Sequence, residues 1–143
     1  MRAPKIIVVG AGPSGASCAL AILQRMPRAE LLLLDKSSYP RVKVCGSGLS
    51  PHALNQLERL GIKQALARET RASITSLRTI GPGGGELVIR SGQEAWVYPR
   101  VEFDHRLVRE AVARGAEFRE GTKVTELLRD DPDPGEARGT VRG

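Results

Sequence analysis

Gly10-Ala11-Gly12-Pro13-Ser14-Gly15 is the stretch that decides the fold, because it matches the pattern G-x-G-x-x-G between a strand and a helix. The apolar run Lys5 to Val9 precedes it and predicts a short buried strand. Pro13 to Arg25 follows, with apolar side chains at helical spacing, and predicts a helix that Pro27 stops. Glycines at such a junction allow a tight turn and leave the helix N-terminus open to phosphate groups.

An acidic residue completes this pattern. A second apolar run, residues 31–34, ends at Asp35, about 20 residues after Gly15. Unalternating runs predict parallel strands that are covered on both faces. An acid at this place accepts hydrogen bonds from ribose hydroxyls and would repel the 2′-phosphate of NADP. Together these features predict an α/β, Rossmann-like βαβ unit that binds a dinucleotide; the alternative is a glycine-rich turn in an unrelated α/β protein.

The rest of the chain predicts a mixture of strands, helices and one long loop. Residues 36–49 lack periodicity and predict the loop, after which Ser50 and Pro51 predict the start of a helix that ends at Gly61. A further helix is predicted from about Phe103 to Arg114, with Val112 on its apolar face. The predicted strands are residues 73–80, 86–90, 95–98, 116–119, 122–129 and one beginning at Thr140, with turns at 81–85 and 130–135.

Composition narrows the class of protein. The net charge of +6 comes from scattered basic residues, and only 3% of residues are aromatic, so nucleic-acid binding is not expected. The two cysteines do not form a disulfide framework, and no apolar run approaches a membrane span of about 18 residues. His52 and His105 lack metal-ligand spacing, so no metal is expected. These features predict a cytoplasmic protein and leave peripheral membrane contact open.

Beyond the glycine pattern, the sequence resembles the geranylgeranyl reductase family of FAD-dependent flavoproteins, part of the larger group built like para-hydroxybenzoate hydroxylase. The second of three matching stretches is the most specific, because Cys-Gly-x-Gly after a basic loop is uncommon elsewhere in that group. The three stretches are G-A-G-P-S-G-A-S-C-A with the L-L-L-L-D-K strand, Tyr39-Pro40-Arg41-Val42-Lys43-Val44-Cys45-Gly46-Ser47-Gly48-Leu49-Ser50, and Tyr98-Pro99-Arg100-Val101-Glu102-Phe103-Asp104 with Leu107 and Gly115-Ala116.

The resemblance implies FAD as the cofactor and gives its contacts residue by residue. Arg41 and Lys43 would lie near the flavin side of the pyrophosphate. Cys45, the candidate catalytic residue, would line the flavin ring and the substrate cavity. Asp104 would mark, with Arg100, the helix that returns to the cofactor domain. The implied cofactor-binding residues are Gly10, Gly12, Pro13, Ser14, Gly15, Asp35, Lys36, Arg41, Lys43, Gly46, Gly48 and Arg100.

Several of these residues also have simpler interpretations. Arg41 and Lys43 would then be solvated charges of the loop. Cys45 would be a small buried residue without chemistry. Asp104 would be a charge near a helix N-terminus that favours the helix dipole.

The resemblance also implies an organisation and an activity. Residues 1–71 and 100–143 would belong to the FAD-binding domain, and residues 72–99 to an inserted substrate domain. The chain ends before the family's second FAD motif, so it is expected to be an N-terminal portion. The implied reaction is reduction of carbon–carbon double bonds in a prenyl group, with NAD(P)H as a candidate electron donor. The alternatives are a flavin-dependent aromatic monooxygenase or halogenase, and a truncated, non-catalytic nucleotide-binding fragment.

Overall fold

The described residues form three small sheets and four helices. A computed structural model describes residues 3–69, 71–129 and 141–142. The helices are α1 (Pro13–Arg25), α2 (Pro51–Arg59), α3 (Lys63–Ala67) and α4 (Arg100–Ala113). The strands are β1 (Lys5–Val9), β2 (Glu30–Leu34), β3 (Gly48–Leu49), β4 (Ala72–Ile80), β5 (Glu86–Val97), β6 (Glu117–Arg119), β7 (Leu128–Arg129) and β8 (Val141–Arg142).

The first sheet is parallel and has the order β1-β2-β6. Strand β1 leads through α1 into β2, so the predicted βαβ unit is present with the predicted bounds of β1 and α1. Val9 pairs with Leu34 in the parallel register. The carboxyl ends of both strands therefore meet at one edge, and Gly10 and Asp35 come directly after them.

Small side chains let α1 pack closely between the sheet and α4. Ala16 and Ala19 of α1 are fully buried, as are Leu107 and Ala111 of α4. An alanine at a helix contact allows the two backbones to approach, and the leucines then fill the space beside it. The predicted apolar face of α4 is confirmed except at Val112, which is 45% exposed because it lies beyond the contact with α1.

The second sheet is antiparallel, with the order β3-β5-β4. The sequence predicted two separate strands, 86–90 and 95–98, where the structure has the single strand β5. A bulge explains the difference. Ile74 pairs with Ala95 and Ser76 pairs with Arg90, so residues 91–94 lie opposite a single residue of β4. Both strands leave large apolar side chains exposed: Ile74, Leu77, Ile80, Leu87, Val88 and Ile89.

Three other predictions of elements were incomplete or wrong. Helix α4 begins at Arg100 rather than Phe103, because Pro99 forms its N-cap. The short helix α3 was not predicted. Of the predicted strand 122–129, only β7 is a strand, because the chain turns away from the end of β6 at Gly121, which has a φ of +65°. β8 pairs with β7, whereas the predicted turn at 130–135 lies outside the described residues.

Ser50 caps α2 as the sequence predicted. Its hydroxyl accepts a hydrogen bond of 3.2 Å from the backbone N–H of Ala53. Ser50→Ala removes that acceptor, and we expect the free energy of unfolding to fall by about 1 kcal/mol. Chemical denaturation of the wild-type chain and the variant measures the difference. Ser50→Thr keeps a hydroxyl and should lose clearly less; equal losses in the two variants would contradict a capping role.

Candidate functional site

Gly10 and Gly15 of the turn between β1 and α1 are positions that require glycine. Gly10 has a φ of +93°, in the region that favours glycine. A Cβ atom on Gly15 would lie 1.7 Å from the carbonyl oxygen of Gly10, which is far inside any real contact. The strand end and the first turn of α1 are therefore in direct backbone contact. This is the close helix–strand approach that the pattern predicts.

Gly12 forms the open side of the turn. It is the N-cap of α1 and, having no side chain, makes no capping hydrogen bond to the first turn of the helix. A Cβ atom there would meet the Nη2 atom of Arg41 at 3.1 Å, the far end of a flexible side chain. The start of α1 thus presents backbone N–H groups. The guanidinium of Arg41 lies beside Gly12, where no side chain blocks the approach of a ligand. That arrangement fits the pyrophosphate of a dinucleotide.

Asp35 is buried at the end of β2 and is held by backbone donors. Its Oδ2 accepts a hydrogen bond of 2.7 Å from the N–H of Ala11, and its Oδ1 accepts one of 2.9 Å from the N–H of Ser37. Tyr39 donates its hydroxyl to Oδ2 at 3.3 Å. Burial alone would raise the pKa of Asp35, but these bonds and the charge of Arg41 outweigh it and lower the pKa. Asp35 is therefore an ionised acceptor beside the glycine turn.

Arg41 lies across the site and is not a solvated loop charge. Its Nε donates to the hydroxyl of Tyr39 at 2.9 Å, and its guanidinium lies 5.3 Å from the centre of the Tyr39 ring. Its Nη2 lies 3.5 Å from Oδ2 of Asp104. The hydrogen bond to Tyr39 and the neighbouring carboxylates raise the pKa of Arg41, so it stays cationic. A fixed positive charge therefore faces Gly12.

Asp104 is fully buried in α4 and is paired with two arginines. Arg100 donates to both carboxylate oxygens, from Nε at 2.6 Å and from Nη2 at 2.8 Å. This bidentate pairing raises the pKa of Arg100. The interpretation of Asp104 as a charge near the helix N-terminus that favours the helix dipole is wrong, because the residue lies beyond the first turn of α4 and is buried between two arginines.

Cys45 is exposed, so it is not a small buried residue. A hydrogen bond from the backbone N–H of Ser47 lowers the pKa of its thiol, and a second from Arg100 acts in the same direction. The same Arg100 guanidinium holds Asp104. Contacts therefore run from Asp35 through Tyr39, Arg41 and Asp104 to Arg100, whose positive charge acts on the thiol of Cys45.

The other predicted site residues are spread around this chain of contacts. Lys36 and Lys43 are exposed, and a Cβ atom on Gly46 or Gly48 would meet nothing within 4 Å. Pro13 and Ser14 line a cavity of about 640 Å³ between α1 and α2. These positions leave the loop accessible to a ligand, and the assignment of each residue to FAD stays a prediction.

Tyr39 was missed as a site residue, although it joins Asp35 to Arg41 and packs its ring edge-on against Phe118 of β6. The signal available in the sequence was an aromatic residue four positions after the acid, in a chain with only two tyrosines. Asp104 was singled out, but its role as a shared partner of two arginines could not be predicted, because Arg41 and Asp104 are distant in the sequence.

Comparison with known proteins agrees with this geometry. A family described as the FAD binding domain matches residues 4–140. The menaquinone reductase of Mycolicibacterium smegmatis is 36% identical over 129 residues, which cover 87% of this chain and 31% of that protein. Digeranylgeranylglycerophospholipid reductase 2 of Methanosphaera stadtmanae is 30% identical over 132 residues, covering 88% of this chain and 32% of that protein.

A solved structure shows the same fold. CmlS, a flavin-dependent halogenase, superposes with a TM-score of 0.79 at 25% identity, over 90% of this chain and 24% of that one. The chain spans less than a third of the length of these relatives. Across the described residues, no helix is both long and apolar enough to cross a membrane. The prediction of an α/β, Rossmann-like fold is confirmed, and the chain belongs to the FAD binding domain family.

Proposed function

We propose that the chain binds FAD as part of a flavin-dependent reductase. The observation that carries the proposal is the open turn at Gly12 with the ionised Asp35 beside it. The N–H groups at the start of α1 would bind the pyrophosphate, and Asp35 would accept hydrogen bonds from the ribose of the ADP half. Three donors already reach the Asp35 carboxylate, which offers about four acceptor positions.

Five further residues would act toward the pyrophosphate and the flavin half. Arg41 would neutralise the pyrophosphate from the side of Gly12, with Lys43 and Lys36 adding positive charge at the surface. Arg100 would hold the loop that contains Cys45. The lowered pKa of Cys45 makes it a stronger acid than an ordinary thiol, so it could deliver a proton to a reduced substrate.

The proposed reaction is reduction of a carbon–carbon double bond in a prenyl group. Reduced FAD supplies hydride in such reactions, and NAD(P)H is the proposed source of electrons. Two relatives are named as reductases, one of them of a digeranylgeranyl lipid. A lipophilic substrate would bring a cytoplasmic enzyme into peripheral contact with a membrane.

The division into domains follows the same proposal. Residues 72–99 would belong to a substrate domain inserted between two parts of the FAD-binding domain, 1–71 and 100–143. The exposed apolar side chains of β4 and β5 support this, since a lipophilic substrate or further protein would cover them.

Halogenation or aromatic hydroxylation is the second candidate function. The resemblance of the fold to CmlS, a flavin-dependent halogenase, favours it. The Cys45-Gly46-Ser47-Gly48 loop favours the reductase. Incubating the FAD-loaded chain with reductant and a geranylgeranyl lipid separates the two by mass spectrometry. Reduction adds two hydrogens per double bond without oxygen, whereas the alternative needs oxygen and adds oxygen or halogen to an aromatic compound.

Gly12→Ala tests the cofactor site directly. The φ of Gly12 is −65° and its only close neighbour is the end of Arg41, so the fold should accept a methyl group. The same methyl group would stand where the pyrophosphate approaches. We expect FAD affinity to fall at least about tenfold, which corresponds to about 1.4 kcal/mol. Flavin absorbance retained after desalting, followed by titration, measures it.

The matched control is Gly83→Ala, in the turn between β4 and β5, where a Cβ atom would meet nothing within 4 Å. It should bind FAD as the wild-type chain does. Equal affinity in Gly12→Ala and wild type would place the cofactor elsewhere. A wild-type chain that ignores FAD would favour the third alternative, a fragment without catalysis.

A further inference from the structure

The strongest unexplained feature is the buried carboxylate of Asp104. Burying a charge is costly unless it is paired and hydrogen-bonded, and an apolar residue at the same place would avoid that cost. Asp104 lies in the same helix as the core residues Phe103, Leu107 and Val108, and like them it is buried. A carboxylate among them needs a reason other than packing.

The two arginines on Asp104 come from different parts of the chain. Arg100 lies one helical turn before it, and Arg41 lies in the long loop after β2. Nη2 of Arg41 lies beside Gly12, whereas the positive charge of Arg100 acts on the thiol of Cys45 and lowers its pKa. A single carboxylate thus fixes the guanidinium at the glycine turn and the guanidinium at the cysteine loop.

We propose that Asp104 is a positioning residue that holds Arg41 at the phosphate-binding turn and Arg100 at Cys45. The inference rests on the proposed function for its meaning, since the two ends are the proposed pyrophosphate and flavin sides of the site. The contacts of Asp104 with Arg41 and Arg100, and the alkylation test below, do not require a cofactor. Asp104 acts through the arginines, and it has no exposed surface with which to contact a ligand itself.

If Asp104 acted only through its charge, its removal would lower the pKa of the Cys45 thiol, whereas a positioning role predicts that this pKa rises. Within the part of the chain that the structure describes, the charged and titratable groups that act on Asp104 or its partners are Arg41, Arg100, Tyr39, Asp35 and Cys45. Removing one negative charge without moving the arginines would make the surroundings of Cys45 more positive and lower the pKa of its thiol further. If Asp104 positions Arg100, its removal releases the guanidinium from Cys45, and the pKa of the thiol rises instead.

The test is the pH dependence of Cys45 alkylation by iodoacetamide, in the full chain carrying Cys18→Ser. We expect Asp104→Asn and Arg100→Gln each to slow alkylation at neutral pH, on the order of threefold, because less thiolate is present. Combining them should slow it no further, since both act through one contact. Faster alkylation in Asp104→Asn, or additive effects, would overturn the proposal.

Two further variants separate positioning from loss of fold. Glu110→Gln removes one of the two carboxylates that pair with Arg106, the other being Glu69, and should leave Cys45 unchanged. Arg100→Lys keeps the charge but cannot form the bidentate pair with Asp104, so it should slow alkylation as Arg100→Gln does. A wild-type rate in Arg100→Lys would overturn the proposal even if Asp104→Asn unfolds. Circular dichroism melting records which variants are folded.

The FAD titration is a separate measurement. If the wild-type chain binds FAD, Asp104→Asn should weaken FAD binding at least about threefold, because it releases Arg41. In a chain that already carries Arg41→Gln, Asp104→Asn should weaken FAD binding no further. Stronger binding after removal of this negative charge would overturn the positioning role. If the wild-type chain does not bind FAD, the proposed function fails while the alkylation result still decides the role of Asp104.

Discussion

Gly15→Ala is expected to unfold the chain or to lower its free energy of unfolding by about 4 kcal/mol or more. The methyl group would lie 1.7 Å from the carbonyl oxygen of Gly10 and 2.9 Å from its carbonyl carbon. Both are backbone atoms, so no rotation of a side chain can relieve the overlap. The end of β1 and the start of α1 would have to separate.

That separation would reach the core. Val8 also lies 3.5 Å from the same position, and Ala16 and Ala19 of α1 are fully buried one turn further on. Moving α1 away from β1 opens space around these alanines, which is costly in a close-packed interior. The stability of a domain of this size is on the order of 10 kcal/mol, so much of it is lost.

Urea denaturation followed by circular dichroism measures the effect. Gly85→Ala is the matched control, because a Cβ atom there would meet nothing within 4 Å and no strained φ is involved. We expect it to change stability by less than about 0.5 kcal/mol. A Gly15→Ala variant as stable as Gly85→Ala would show that the turn can open without cost and would contradict the role given to Gly15.

Local sequence rules predicted the bounds of the βαβ unit well, for physical reasons, but the predicted burial of β1 is wrong, because Ile7 and Val9 are 50% and 57% exposed. The bounds of β1 and α1, the cap at Ser50 and the buried alanines all depend on residues that are neighbours in the sequence. Apolar periodicity, glycine and proline act over such short distances. The same rules failed for residues 91–94, because the continuation of β5 depends on pairing with β4 across a bulge.

The site was predicted as a set of residues but not as a connected structure. Arg41 and Cys45 were singled out from the resemblance, yet their common link through Asp104 joins a loop to a helix more than fifty residues later. Such contacts arise from tertiary packing, and no periodicity in the sequence carries them. Buried ion pairs are therefore the part of the site that could not be predicted from the sequence.

Asp35→Asn is the second change with a large expected effect, about 2–3 kcal/mol lost from the free energy of unfolding. The buried N–H of Ala11 and the N–H of Ser37 both donate to this carboxylate. An amide has one accepting oxygen, so one of the two donors would face an NH₂ group. A buried donor without an acceptor costs the full desolvation of that group.

The stability lost in Asp35→Asn should depend on pH. The pKa of Asp35 in the folded chain is lowered from its ordinary value of 3.8. Its contribution is therefore fully present above pH 3.8 and is lost as the pH falls through the lower pKa of the folded state. The stability difference between wild type and Asp35→Asn should stay constant near neutral pH and shrink only in acid.

Glu117→Gln is the control, because that carboxylate is exposed on β6 and, among the residues that the structure describes, pairs with the exposed Arg119 alone. Its removal should cost less than about 0.5 kcal/mol. Asp35→Asn should also weaken the binding of ADP, since the amide presents fewer acceptors to the ribose hydroxyls. A stability difference that persists unchanged into acid would mean that Asp35 acts by shape and not as a charged acceptor. Loss of stability without loss of ADP affinity would separate its structural role from the proposed binding role.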